Sequence, residues 1–369
     1  MLAAILTTGR YELAIGLPEE EDEAMNVLCL TVLIALVIST VYLLLILIAR
    51  QVPWNVFAAS QLLHQPVVFL VPVYTLLAAN YSSLVYWNQR RKLYMDVSTS
   101  TVLQAATATA INIILGIVGM KAWGLIAGLL LGQLGANIFL VTKLLRNGSF
   151  EGVSMNRILA AAGKFKDFPR YMTFSGLLLT TSQQVVPIIF SFLFNAVVVG
   201  FFSLANRMLR VPNIVLTTSI GNVFRNEAID NIRSGGNCGN LYKATLRKLT
   251  ILSVPIYIVL WIVSPLLFVI FFGKDWEASG YFARIICIML ALDFIASPLS
   301  TLFYVIGRQK AYMRMQFLNT LTGILALWAG AAFFKDAYVS ISLFTMTNCL
   351  FSLITIYLTY QYSKEHYRI

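Results

Sequence analysis

Arg207 and Arg210 interrupt an apolar stretch long enough to cross a membrane, with 196–206 before them and 211–224 after them. A guanidinium at bilayer depth is unfavourable by about 2.5–3.5 kcal/mol on insertion scales, so it persists where it faces a polar cavity or a partner. Residues three apart share a helix face. Two guanidinium forks on one face suit phosphate oxygens, which they bind bidentately. Asp293 is the one carboxylate well inside an apolar segment. It reads either as a structural ion-pair partner for one arginine or as the carrier of a coupling proton or cation. One acid cannot neutralise two arginines, so the surplus is positive and the ligand it suits is an anion. Gln183 and Gln184, four and three residues before Pro187, are the amides best placed to face the same cavity.

The rest of the chemistry-bearing inventory is sparse. There is no glycine-rich phosphate loop, nucleophile elbow, His-Glu-x-x-His or carboxylate pair within an apolar segment. His64 and His366 are far apart, and Cys29, Cys238, Cys287 and Cys349 have no disulfide or metal-ligand spacing. The acidic run Glu19–Glu23 reads as a solvated loop or helix start. No enzyme, cofactor or metal is called for. A membrane-embedded polymerase or glycosyltransferase would need a sizeable outer loop, and the loops on that side are short.

The elements that must position these residues are membrane helices. Hydrophobic residues make up 59% of the chain and charged residues 12%, about half the share of a soluble domain. The apolar residues fall in blocks of about 20, the length that spans roughly 30 Å of hydrocarbon as a helix. Ten such blocks are expected near 27–49, 63–87, 98–119, 122–142, 171–194, 196–223, 249–272, 281–306, 315–334 and 337–360. The blocks are continuous, which argues against a β-barrel with its alternating ten-residue segments. The fold class is therefore an all-α polytopic membrane protein of about ten transmembrane helices.

The net charge of +11 has a matching pattern and calls for no nucleic acid. With the ten blocks in alternation, one set of loops collects 20 of the 27 lysines and arginines, from Arg10 through Arg90–Lys92 and Lys143–Arg170 to Arg368. The other set holds five: Arg50, Lys121, Lys274, Arg284 and Lys335. By the positive-inside rule, both termini of this chain lie in the cytoplasm.

The longest basic segment outside the blocks divides the chain into an N-terminal lobe of about four spans (1–145), a cytoplasmic linker (146–170) and a C-terminal lobe of about six spans (171–369). The linker is expected either as a helix on the membrane surface, around Val153–Lys166, or as a solvated connection. A weak repeat links the halves. Arg10-Tyr11-Glu12 and Arg225-Asn226-Glu227 share Arg-x-Glu, each closing an apolar segment before a cytoplasmic loop. Arg10, Glu12, Arg225 and Glu227 are thereby candidates for a cytoplasmic gate. If the halves correspond, the first lacks one span and most of another, and the implied parent has twelve helices in two parallel six-helix halves. Met1–Gly9 then reads as the tail of a helix that begins earlier.

The depth of Arg207 depends on where the sixth block starts. A start at Ala196 puts Arg207 eleven residues in, about 16 Å at 1.5 Å per residue. A start near Pro187 would put it at the cytoplasmic edge, but would leave the fifth span only about 16 residues, short for a crossing.

Several stretches resemble the polysaccharide (O-antigen type) flippases of the multidrug/oligosaccharidyl-lipid/polysaccharide exporter superfamily. They are Arg10-Tyr-Glu-Leu-Ala-Ile15 with Leu17-Pro18, Lys166-Asp-Phe-Pro-Arg-Tyr171, Ser182-Gln-Gln184 before Pro187, Gly200-Phe-Phe-Ser-Leu-Ala-Asn206 running through Arg207 and Arg210 to Pro212, Ser297-Pro-Leu299 and Gly307-Arg-Gln-Lys310. The resemblance implies two helical lobes around a central cavity. It also implies alternating-access passage of an undecaprenyl-diphosphate-linked oligosaccharide, an O-antigen or exopolysaccharide repeat, across the bacterial inner membrane. Membrane lipids and a polysaccharide polymerase machinery are the further partners it implies. The rival within the superfamily is a small-molecule or multidrug efflux transporter, whose cavity should favour acids and aromatics over arginine.

Overall fold

Long uninterrupted runs of Leu, Ile, Val, Phe and Ala leave the backbone no solvent to bond, so it satisfies itself within helices. The computed structural model describes residues 6–51, 65–147 and 150–367, and the described residues hold helices and no strand. The helices longer than one turn are α1 (Glu21–Gln51), α2 (Leu70–Arg90), α3 (Tyr94–Ile117), α4 (Lys121–Asn147), α5 (Met155–Lys164), α6 (Thr173–Leu193), α7 (Ala196–Gly235), α8 (Gly239–Phe272), α9 (Glu277–Ser300), α10 (Gln309–Ala329) and α11 (Ala337–Lys364). Nine of the helical segments among the described residues are long and apolar enough to cross a membrane. Helix α7 is not among the nine. It is the sixth block of the sequence reading, and it carries Asn206, Arg207, Arg210 and Asn213 in its first half. His64 and residues 63–64 of the second block lie outside the described residues.

The chain divides into two compact units, Met1–Thr173 and Phe174–Ile369. In the first, α3 and α4 cross closely because Gly124, Gly128 and Gly132 line one face of α4 at four-residue spacing. This is the small-residue pattern that lets membrane helices approach. A Cβ on Gly132 would meet the Gln104 carbonyl oxygen at 2.7 Å and the Ala108 Cβ at 2.9 Å. Gln104 Nε2 locks this crossing by donating to Gln133 Oε1 at 2.5 Å, and Asn137 Nδ2 ties α4 to α2 by donating to the Leu77 carbonyl at 3.0 Å. The intramembrane amides thus tie helices to one another, as does Asn319 to Asn348 at 3.2 Å in the second unit.

The acidic run takes the helix-start form expected for it. Glu21, Asp22 and Glu23 form the first turn of α1, where the helix dipole favours negative charge. Arg91 reaches Glu21 at 2.7 Å, Arg157 reaches Asp22 at 3.8 Å, and Lys164 reaches Glu23 at 2.5 Å. Arg90 donates to the carbonyls of Ile15, Gly16, Pro18, Glu19 and Glu20. The segment expected as a linker contains α5, capped by the Ser154 hydroxyl accepting from the Arg157 amide at 3.4 Å. Ile158 and Ala161 are buried, and Asn26 of α1 bonds both Gly152 and Ser154, so α5 belongs to the first unit. Met155 and Leu159, one turn apart, remain exposed on its other side.

In the second unit, prolines break the helical ladder and neighbours take up the freed groups. Pro265 has no amide hydrogen for the Trp261 carbonyl. Arg284 of α9 supplies the missing donor, its Nε lying 3.0 Å from that oxygen. A Cβ on Gly280 would run into the Pro265 backbone, so glycine permits α8 and α9 to touch there.

Candidate functional site

Helix α7 begins at Ala196, after Asn195 caps it by accepting from the Val198 amide at 2.9 Å. Arg207 therefore lies eleven residues along an unbroken helix, about 16 Å by helical rise. That start is the one the deeper placement required. Helix α6 ends at Leu193 and keeps 21 residues, so the fifth span is not truncated.

The two arginines are not equivalent. Arg207 is exposed in its unit and has no hydrogen-bond or ion-pair partner among the described residues. Arg210 is half-buried, and its Nε donates to Asn206 Oδ1 one turn back at 3.1 Å. Arg210 also borders a void of about 10 Å³ with Ser182, Asn206, Met289 and Phe344, space for about one water. A three-residue offset places the two Cα atoms about 60° apart around the axis. Packing against α6 and α9 turns that offset into one exposed cation and one held in place.

Beneath Arg210 lies a polar chain across three helices. Asn213 Nδ2 of α7 donates to Asp293 Oδ2 of α9 at 3.2 Å, and the Tyr257 hydroxyl of α8 donates to Asn213 Oδ1 at 3.0 Å. Asn213 is 2% exposed and Tyr257 7%, so these two members are buried, while Asp293 is partly exposed. Arg210 interacts electrostatically with Asp293 and Tyr257, yet no ion pair of 4.0 Å or less joins Asp293 to either arginine. Of the two readings offered for Asp293, the ion pair with an arginine is not formed at contact distance; its side-chain partner is the Asn213 amide. Sequence reasoning passed over Asn206, Asn213 and Tyr257. Their signal was spacing: Asn206 and Asn213 stand four before and three after Arg210, on its own face.

Gln184 is exposed on α6, and Gln183 is in the same helix with a side chain outside the described residues. The gate candidates take two conformations. Arg10 sits at φ 60° ahead of a 3₁₀ turn, Tyr11–Ala14, and this brings its Nη1 to 3.6 Å from the buried Glu12. Arg225 and Glu227 lie within α7, where residues two apart point to opposite sides. Arg225 is 2% exposed and bonds Asn226, while Glu227 is exposed. The shared Arg-x-Glu pattern therefore yields a facing pair only where the backbone leaves the α-helix. Cys238, in the turn between α7 and α8, is buried, and burial pushes its thiol up to about 11, which keeps it protonated and unreactive.

Residues 18–281, more than half of the chain, match the family described as Polysaccharide biosynthesis protein. The chain belongs to that family. No curated protein matches the chain in sequence. Among solved structures, this polysaccharide biosynthesis protein is similar in fold to a MATE transporter in the straight conformation, at 12% identity and a TM-score of 0.78, covering 98% of this chain and 83% of that one. It is also similar to an outward-facing multidrug resistance MATE family transporter of the MOP superfamily, at 12% identity and a TM-score of 0.76, with the same coverages. A third is the Vibrio cholerae MATE transporter VcmN in the bent form, at 13% identity and a TM-score of 0.75, covering 98% and 84%. Such low identity carries the fold alone: the family member has the two-lobed helical fold of these transporters.

Proposed function

We propose that this protein moves a lipid-linked oligosaccharide, an O-antigen or exopolysaccharide repeat on an undecaprenyl diphosphate carrier, across the bacterial inner membrane by alternating access. Membership of the polysaccharide biosynthesis family and the fold of the transporters support the class of activity. The observation that carries the choice of ligand is Arg207, an exposed guanidinium about 16 Å along α7 without a carboxylate partner among the described residues. Arg207 and Arg210 hold the diphosphate in this reading, Gln183 and Gln184 meet the glycan, and the prenyl chain stays in lipid. The protein makes and breaks no bond; it only carries. Both ends of this chain are cytoplasmic, and the polymerase machinery that consumes the flipped repeat is the implied partner.

The experiment is Arg207→Ala combined with Arg210→Ala in a strain whose surface polysaccharide depends on this protein. Surface polysaccharide is expected to vanish while the protein level in the membrane holds. Normal polysaccharide in that strain overturns the diphosphate role. The likeness to a multidrug resistance transporter supports a second reading, efflux of small molecules. That reading predicts drug sensitivity on deletion with surface polysaccharide intact.

A further inference from the structure

The second unit carries a feature that the transported substrate does not use. Helices α8, α9 and α11 enclose an apolar groove of about 910 Å³, with Trp261, Arg284, Ile288, Met346, Leu350 and Leu353 on its walls. Its α11 wall runs from Tyr338 to Leu353, about 22 Å of helix at 1.5 Å per residue, within a hydrocarbon core of roughly 30 Å. Met346, Leu350 and Leu353 are more than half exposed, so the groove opens sideways to lipid. Its one charged wall residue, Arg284, stands seven residues into α9, near the end away from the basic loops.

Arg284 is clamped. Its Nε and Nη2 donate to the Trp261 and Ile262 carbonyls at 3.0 and 3.1 Å, and its guanidinium lies 5.7 Å from both the Trp261 and Tyr281 rings. A long cationic side chain at this level ordinarily snorkels to water; this one is held at the head of the groove by the carbonyl that Pro265 frees. Those two bonds use two of the five guanidinium donors. No carboxylate lies within 4.0 Å, the nearby Glu277 being bonded to the Tyr281 hydroxyl at 3.0 Å.

We propose that this groove is a phospholipid site, with the lipid phosphate on the free donors of Arg284 and one acyl chain lying along α11 from Tyr338 to Leu353. The charge and the length argue together. A fixed cation with unused donors at the head of an apolar channel matches an anionic oxygen at the head of a chain of that reach. The site does not depend on what the protein transports. It places a lipid of the leaflet opposite the basic loops against the helices that bear Asp293 and Tyr257.

The test is native mass spectrometry of the purified full chain in detergent, titrated with dioleoyl phosphatidylglycerol and with phosphate-free dioleoylglycerol. Wild type is expected to prefer the phospholipid by about tenfold, the scale of one charge-assisted hydrogen bond. Arg284→Gln keeps an amide for the Trp261 carbonyl and is expected to lose that preference. Met346→Trp, at an exposed position inside the groove, is expected to weaken both lipids whether or not Arg284→Gln folds. Equal binding of the two lipids by wild type overturns the proposal, as does a preference that survives Arg284→Gln. Binding untouched by Met346→Trp, or a stronger preference for a polyprenyl phosphate than for the phospholipid, also overturns it.

Discussion

Asp293 is bonded to Asn213 rather than to an arginine, and this changes what a substitution there should do. Asparagine keeps the shape and the hydrogen-bonding capacity of the site and removes only the ionisable group. If the acid were one half of an ion pair, its loss would strand a buried cation and destabilise the fold strongly. With an amide as the direct partner, Asp293→Asn is expected to leave the thermal midpoint in detergent nearly unchanged. In vesicles it is expected to uncouple transport from an imposed proton gradient, if this carboxyl takes the coupling role that the sequence leaves open for it. Transport that still follows the gradient in the variant would remove Asp293 from the coupling role. The sequence singled out Arg210 and Asp293 as charged residues within apolar stretches. It could not show that Asn213 and Tyr257 would join Asp293 in one hydrogen-bonded chain, because α8 and α9 reach α7 only through tertiary packing.

The helices themselves were legible, since a 20-residue apolar run has few other ways to satisfy its backbone. Their contacts were less so. Gly124, Gly128 and Gly132 mark a close crossing, but the partner surface on α3 around Gln104 and Ala108 emerges only from the fold. Gly132→Val is expected to destabilise by about 1–3 kcal/mol, the usual scale of overpacking. A shift of the unfolding transition in detergent would record it, and an unchanged transition would mean that α3 and α4 do not meet there. The segment 146–170 was ambiguous for a related reason. A short amphipathic helix reads alike whether lipid, water or protein covers it. Asn26, Glu23 and Asp22 of α1 decide the matter by bonding Gly152, Lys164 and Arg157. The Arg-x-Glu repeat shows the limit from the other side: the same three-letter pattern forms a facing pair at Arg10 and a split one at Arg225, because one lies on a left-handed turn and the other in α-helix.

For the molecule as a whole, the loop-charge split assigns a side of the membrane to every connection. Helix α8 is 34 residues, about 51 Å by its rise, so its ends must emerge on opposite faces. A single cysteine at Asn237, in a background without native cysteines, is expected to react with a membrane-impermeant maleimide only from the cytoplasmic side. One at Lys274 is expected to react only from the other. Labelling of both from one side would contradict the orientation. The amino-acid sequence alone determined the membrane-spanning, helical class of this protein and where most of its apolar helices lie, because hydropathy and charge act locally and survive without coordinates. Tertiary structure alone decided which polar groups are partners. Packing of α7, α8 and α9 left Arg207 exposed, joined Asn213 to Asp293 and Tyr257, and clamped Arg284 at the head of a groove. Such contacts depend on how helices far apart in sequence come to lie side by side.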